Sequence, residues 1–124
     1  MKELTKAEEQ LMQILWGLEK AYLKDIVEQY PNPAPAYTTI STVVNVLVKK
    51  GFIGFETHGK SREYYPLISK EKYTRQSMNG LMSSFFDNSA KKFASFFASQ
   101  EELSVEELKA IRKLIDEQIS QRKS

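Results

Sequence analysis

Between residues 36 and 67 the spacing of apolar positions changes period, from that of a helix to that of a strand. Ile40, Val43, Val44 and Leu47 fall at i, i+3, i+4 and i+7, which makes one apolar stripe on a helix. The other side carries Thr38, Ser41, Thr42, Asn45 and Lys49, short hydrogen-bonding residues that stay uncharged until the last turn. Lys49 and Lys50 close the helix, where cations suit its dipole, and Gly51 supplies a left-handed stop. Residues 52–57 and 62–67 then read as two strands rich in Phe, Ile, Thr and Tyr. His58, Gly59, Lys60 and Ser61 form the turn between them, with glycine where a positive φ is wanted. Of the neighbours Tyr64 and Tyr65, alternation sends one into the hairpin core.

The residues ahead of this segment set its context. Thr5 and Glu8 have the spacing of a capping box, so a helix starts at Thr5. Leu11, Met12, Leu15 and Trp16 share one of its faces, Leu4 is placed as a staple, and Gly17 lies near its end. A shorter helix over residues 23–30 turns Leu23, Ile26, Val27 and Tyr30 inward. Pro31, Pro33 and Pro35 then impose an extended connector, because each biases its predecessor away from the helical region. Pro35 suits the first turn of the next helix. Helix, helix, proline loop, helix, hairpin is the order of a winged helix-turn-helix, a fold that commonly holds duplex DNA. The fold class expected is therefore mainly α with a small β-hairpin. Residues 1–68 form the winged-helix domain and residues 69–124 a helical dimerisation region. Thr38, Ser41, Thr42 and Asn45 are the candidates for base contacts in the major groove. Lys49, Lys50, Lys60 and Arg62 are the candidates for phosphate contacts.

The second half has a different texture. Ser69 opens a helical stretch with Tyr73, Met78, Leu81, Met82, Phe85 and Phe86, then Phe93, Phe96 and Phe97. Asp87, Asn88 and Ser89 interrupt it. Ser104 and Glu107 form a second capping box ahead of Leu108, Ile111, Leu114, Ile115 and Ile119. A tail of this length cannot bury so many large apolar side chains by itself. Pairing with a second copy would cover Met78, Leu81, Met82, Phe85, Phe93, Leu108, Ile111, Leu114 and Ile115, and would couple two winged helices as an inverted repeat requires.

Composition narrows the picture. At 124 residues the chain holds one core of ordinary size plus an extension. The absence of cysteine excludes disulfides, zinc–cysteine sites and thiol redox sensing. No apolar run reaches the length of a membrane span, and the N-terminus does not read as a signal peptide, so a cytoplasmic location is the default. Overall there are 18 basic and 16 acidic residues, and residues 1–68 are neutral. The basic charge collects where phosphates would lie, with Lys49, Lys50, Lys60 and Arg62 against Glu56. His58 reads as a solvated turn residue, and the adjacent carboxylates Glu8/Glu9, Glu101/Glu102 and Glu106/Glu107 do not face one another on a helix. No nucleophile–base pair, phosphate loop or metal spacing is present, so neither an enzyme nor a cofactor or metal is expected. Two classes of function stay open: a dimeric repressor on double-stranded DNA, and a winged-helix protein-interaction module.

The stretches TKAEEQLMQILW, YTTISTVVNVLVKKGFI, EYYPLISKEKY and QEELSVEELKAIRKLID resemble the penicillinase-repressor family of bacterial transcriptional regulators (BlaI/MecI type). The resemblance implies a homodimeric repressor on an inverted-repeat operator, released by proteolysis when a membrane sensor-protease is triggered. It places the cleaved bond between Phe96 and Phe97, upstream of Glu101, Glu102 and Leu103; Phe97 fits the family motif, while Phe96 stands in place of Asn. The third helix departs from the family as well. Thr38, Ser41 and Val46 stand where better-known members carry Lys and Arg, although Thr39, Ile40, Thr42 and Leu47 match. Without arginine there is no bidentate guanine contact, which leaves threonine methyls for thymine and Asn45 for adenine.

Overall fold

The computed structural model describes residues 3–123. Its elements run α1 Lys6–Leu18, β1 Ala21–Tyr22, α2 Leu23–Glu28, α3 Tyr37–Lys49, β2 Ile53–His58, β3 Ser61–Pro66, α4 Lys70–Phe85, α5 Ala90–Ala98 and α6 Val105–Lys123. Contacts divide the chain into two compact units between Ser77 and Met78.

The first unit is a winged helix, and local chemistry accounts for most of its boundaries. Thr5 Oγ1 accepts from the Glu8 amide at 3.2 Å, and the Thr5 amide donates to Glu8 Oε1 at 2.9 Å, which closes the capping box of α1. The helix runs through Gly17; the Glu19 amide makes a last i→i−4 bond to the Leu15 carbonyl, and the φ of 67° at Glu19 then turns the chain out of the helix. Helix α2 ends at Glu28 rather than Tyr30, since Pro31 bars Tyr30 from helical geometry. Pro35 does not enter the first turn of α3: Ala36 is the N-cap, and its carbonyl takes the first helical bond, from Ile40. At the far end, Gly51 at φ 83° completes a Schellman motif, with the Gly51 amide on Val48 and the Phe52 amide on Leu47.

β2 and β3 pair antiparallel from Ile53↔Pro66 out to His58↔Ser61, joined by the two-residue turn Gly59 and Lys60. Within this turn positive φ is confined to Gly59, the II′ pattern that suits strand twist. β1 adds a third strand through Ala21↔Tyr64 and Tyr22↔Glu63, giving the order β1-β3-β2. The core is built from Leu11, Met12 and Leu15 of α1, Ile26 of α2, Ile40, Val44 and Leu47 of α3, and Phe52, Ile53 and Tyr64 around the hairpin. Val43 of the expected stripe is only partly buried at its edge. The first turns of α4 belong to this unit. Ser69 caps that helix by accepting from Lys72, and Tyr73 sets its ring 5.9 Å from Trp16 and 6.0 Å from Phe52.

The second unit is helical throughout. Asp87 and Asn88, both at positive φ, break the chain after α4, and Ser89 then caps α5 by accepting from the Lys92 amide. Ser104 and Glu107 exchange both bonds of a capping box at the start of α6, and the bonds from Ser104 hold the Glu107 carboxyl below its ordinary range. No side chain on α5 or α6 is fully buried.

Candidate nucleic-acid interface

Helix α3 turns its stripe of Ile40, Val44 and Leu47 into the core, so its opposite face is set outward by the same packing. Thr38, Thr42, Asn45 and Lys49 follow one another along that face and are all exposed, with Ser41 half-buried beside them. Thr42 Oγ1 donates to the Thr38 carbonyl at 2.9 Å, which occupies the hydroxyl proton and leaves the methyl for apolar contact. Among the described residues the Asn45 amide has no hydrogen-bond partner, so its donor and acceptor are both available.

A cleft of about 570 Å³ lies between this helix and the wing. It brings Ser41 and Asn45 of α3 together with Lys60 and Arg62 of the hairpin. Thr38, Thr42 and Lys49 lie outside the cleft on the exposed ridge of α3. Tyr22, Lys24, Tyr37 and Ser61 also line it. Nothing in the sequence marks these four as binding residues; their positions at the first turns of α2 and α3 and at the wing turn are the only pointer.

The cations are not equivalent. Lys49, Lys60 and Lys24 have no carboxylate partner among the described residues. The Arg62 guanidinium stacks 4.3 Å from the centre of the Phe55 ring, which orients it without neutralising it. Lys50 is different: its Nζ donates to both oxygens of Glu8, at 2.8 and 2.9 Å.

Alternation gives the wing two unlike faces. Phe55, Thr57, Arg62 and Tyr64 share the side of the cleft, while Glu56, His58 and Glu63 share the other. Glu56 and Glu63 are direct cross-strand partners, an arrangement that repels unless a cation intervenes. Lys20 supplies it, 3.2 Å from Glu56 and 3.7 Å from Glu63, and the hydrogen bond to Glu56 raises the Lys20 amine above its usual value. His58 Nε2 lies 3.2 Å from Glu63. These three side chains are the only histidine–carboxylate group among the described residues close enough to hold a metal ion, and Lys20 already provides their counter-charge.

The chain matches the penicillinase-repressor family over residues 4–117. It belongs to that family. It is 24% identical to the methicillin resistance regulatory protein MecI of Staphylococcus aureus over 115 residues, covering 92% of this chain and 94% of that protein. It is 20% identical to the penicillinase repressor of Bacillus licheniformis over 122 residues, covering 98% and 95%. The solution structure of the DNA binding domain of the repressor BlaI shares the fold, with a TM-score of 0.51 and 23% identity across 59% of this chain and 94% of that one. The penicillinase repressors are transcriptional regulators and not enzymes.

In the second unit, Phe93 packs within its own chain, edge-on to Phe86 at 5.4 Å and stacked on Phe97 at 5.8 Å. Met82, Leu108 and Ile111 are half-buried, whereas Met78, Leu81, Phe85, Leu114 and Ile115 are exposed, Phe85 to 75%. Ile111, Leu114, Ile115 and Ile119 line a largely apolar groove along α6. Phe96 and Phe97 sit in the last turn of α5, 58% and 39% exposed. No helix among the described residues is long and apolar enough to cross a membrane.

Proposed function

We propose that this chain is a homodimeric transcriptional repressor that grips an inverted-repeat DNA operator in the cytoplasm. The observation that carries the reading is the cleft in which Ser41 and Asn45 of an outward-facing helix stand opposite the unpaired cations of the wing. An uncharged hydrogen-bonding ridge flanked by cations is what a DNA reader needs, because bases are told apart by hydrogen bonds and methyl contacts while phosphates fix position. Thr38, Ser41, Thr42 and Asn45 read the major groove. Lys49, Lys60 and Arg62 hold the backbone, and Lys24 adds a phosphate contact from α2.

The near-neutral charge makes a single copy a weak binder, and pairing of the tails supplies the second. The exposed apolar side chains of α4, α5 and α6 are the surface that a second copy covers. Release by a membrane sensor-protease cutting between Phe96 and Phe97 belongs to the same reading. It rests on family membership and on the exposure of those two side chains. Cutting there would part the winged helix from α6, and two coupled sites would become two weak ones.

Selection of a duplex from a random pool, followed by a salt titration, tests the central statement. A repressor recovers a two-fold symmetric site and loses affinity linearly with the logarithm of salt concentration. A module that binds proteins through apolar surface recovers no site.

A further inference from the structure

Glu8 is the one buried charged residue among the described residues, only 6% exposed. Its carboxylate is used twice. Oε1 accepts from the Thr5 amide at the start of α1, and both oxygens accept from the ammonium of Lys50. Lys50 is the C-cap of α3, directly after the last helical residue of the ridge that faces the cleft. A single carboxylate thus ties the first turn of α1 to the end of the DNA-facing helix.

Beside this pair, α1 and α3 share the apolar core, to which Leu11, Met12 and Leu15 come from one helix and Ile40, Val44 and Leu47 from the other. Apolar contact is non-directional and tolerates a small slide or roll of one helix on another. A lysine held by both oxygens of a buried carboxylate does not. If stability alone were at stake, an apolar pair of similar volume would serve as well, because withdrawing the buried Glu8 carboxylate and part of the Lys50 side chain from water costs much of what their attraction returns. What the pair adds is a defined position. It also commits the Lys50 ammonium to Glu8 and so withdraws it from the cations free to meet a phosphate.

We propose that the Glu8–Lys50 pair is the positioning element of the DNA-reading helix: Lys50 makes no phosphate contact and instead sets the register of Thr38, Thr42 and Asn45 against the groove. This rests on the DNA-binding reading above. It also gives a spatial reason for two of the stretches that carry the family resemblance, around Glu8 and at residues 49–52, to occur in one chain.

The test uses the full chain with Lys50→Met, Glu8→Gln, their double variant, Lys50→Arg and, for comparison, Lys60→Ala. The probes are the duplex selected by the unaltered protein and a scrambled duplex of equal length. Binding is titrated with salt at a temperature where circular dichroism shows each variant folded. Lys50→Met and Glu8→Gln should each weaken the selected duplex by about tenfold or more, the scale of one base contact. The scrambled duplex should stay within about twofold and the salt slope should not change. The double variant should lose no more than either single one, as for two members of one interaction. Lys50→Arg should retain selectivity, while Lys60→Ala should weaken both duplexes and flatten the slope by about one unit. If Lys50→Met does not stay folded, Glu8→Gln decides, since Glu8 touches no DNA on any reading: selective loss supports positioning, and unchanged selectivity overturns it. Equal loss on both duplexes for Lys50→Met with a shallower slope also overturns it, making Lys50 a phosphate contact. An unaltered protein that selects no duplex at all removes the DNA-binding reading, and this proposal with it.

Discussion

The indole Nε1 of Trp16 donates to the carbonyl of Ile68 across 2.8 Å, tying the last turn of α1 to the chain just beyond the wing. Ile68 is buried, so its carbonyl has little recourse to water if the donor is lost. Trp16→Phe keeps an aromatic ring near Tyr73 but removes the donor. Urea unfolding should show a loss of about 1–3 kcal/mol, the cost of a stranded buried acceptor. Affinity for the selected duplex, measured under folding conditions, should be unaltered. No loss of stability would mean that water replaces the indole.

Glu8 predicts how the fold responds to acid. Burial by itself would raise its carboxyl; the bonds from Lys50 and Thr5 outweigh that and hold it below the ordinary value. As pH falls, the unfolded chain therefore takes up this proton first. The stability that Glu8 contributes is complete above the ordinary carboxylate value and disappears as pH falls through the lower, folded one. At neutral pH Glu8→Gln should be less stable by about 2–3 kcal/mol, below the full cost of a broken buried pair because Lys50 is partly solvated. The two curves should converge on acidification below about pH 4. Parallel curves down to pH 3 would assign the acid sensitivity to other carboxylates.

Asn45 and Lys60 face the same cleft and should fail differently. Asn45→Ala should cost about 1–3 kcal/mol on the selected duplex and relax preference at one base pair of each half-site. Lys60→Ala should weaken every duplex alike. Quantitative binding to a panel of single-base variants distinguishes the two, and uniform loss for Asn45→Ala would show the reading face to be misassigned.

Leu114 and Ile115 are 61% and 54% exposed in the groove along α6. Replacing both with aspartate should leave the first unit folded and convert a dimer into a monomer in sedimentation at micromolar concentration. Operator affinity should then fall by about two orders of magnitude or more, as linkage between the two sites is lost. A full-length protein that is already monomeric at that concentration would end the dimer reading.

Mass spectrometry of the protein recovered after the host's sensor system is triggered should show a cut between Phe96 and Phe97. An intact chain that has left its operator would point to a ligand or partner as the trigger instead.

The winged helix was legible because its signals are local and repeated. The period of Ile40, Val43, Val44 and Leu47 and the stop at Gly51 each follow from neighbours in sequence; Ile40, Val44 and Leu47 are buried, and Gly51 takes positive φ. β1 was not legible: two residues carry no period, and their pairing with Tyr64 and Glu63 depends on the hairpin being present first. Nor was the partner of Lys50, which lies 42 positions away on another helix. Read locally, a lysine at the end of α3 is a free cation near the dipole. Lys24 and Tyr37 belong to the candidate interface for a similar reason, since only the closing of the wing against α3 makes them its walls.

The opposed faces of the wing restrict how its length can vary. Lengthening each strand by one residue would carry Lys60 outward by about 3.3 Å and turn over every side chain beyond the insertion. Arg62 would leave the cleft, and Glu56, His58 and Glu63 would enter it. At the base of the wing, reach can therefore change only in steps of two residues per strand if these faces are to be kept, so the hairpin is a ruler with a coarse scale.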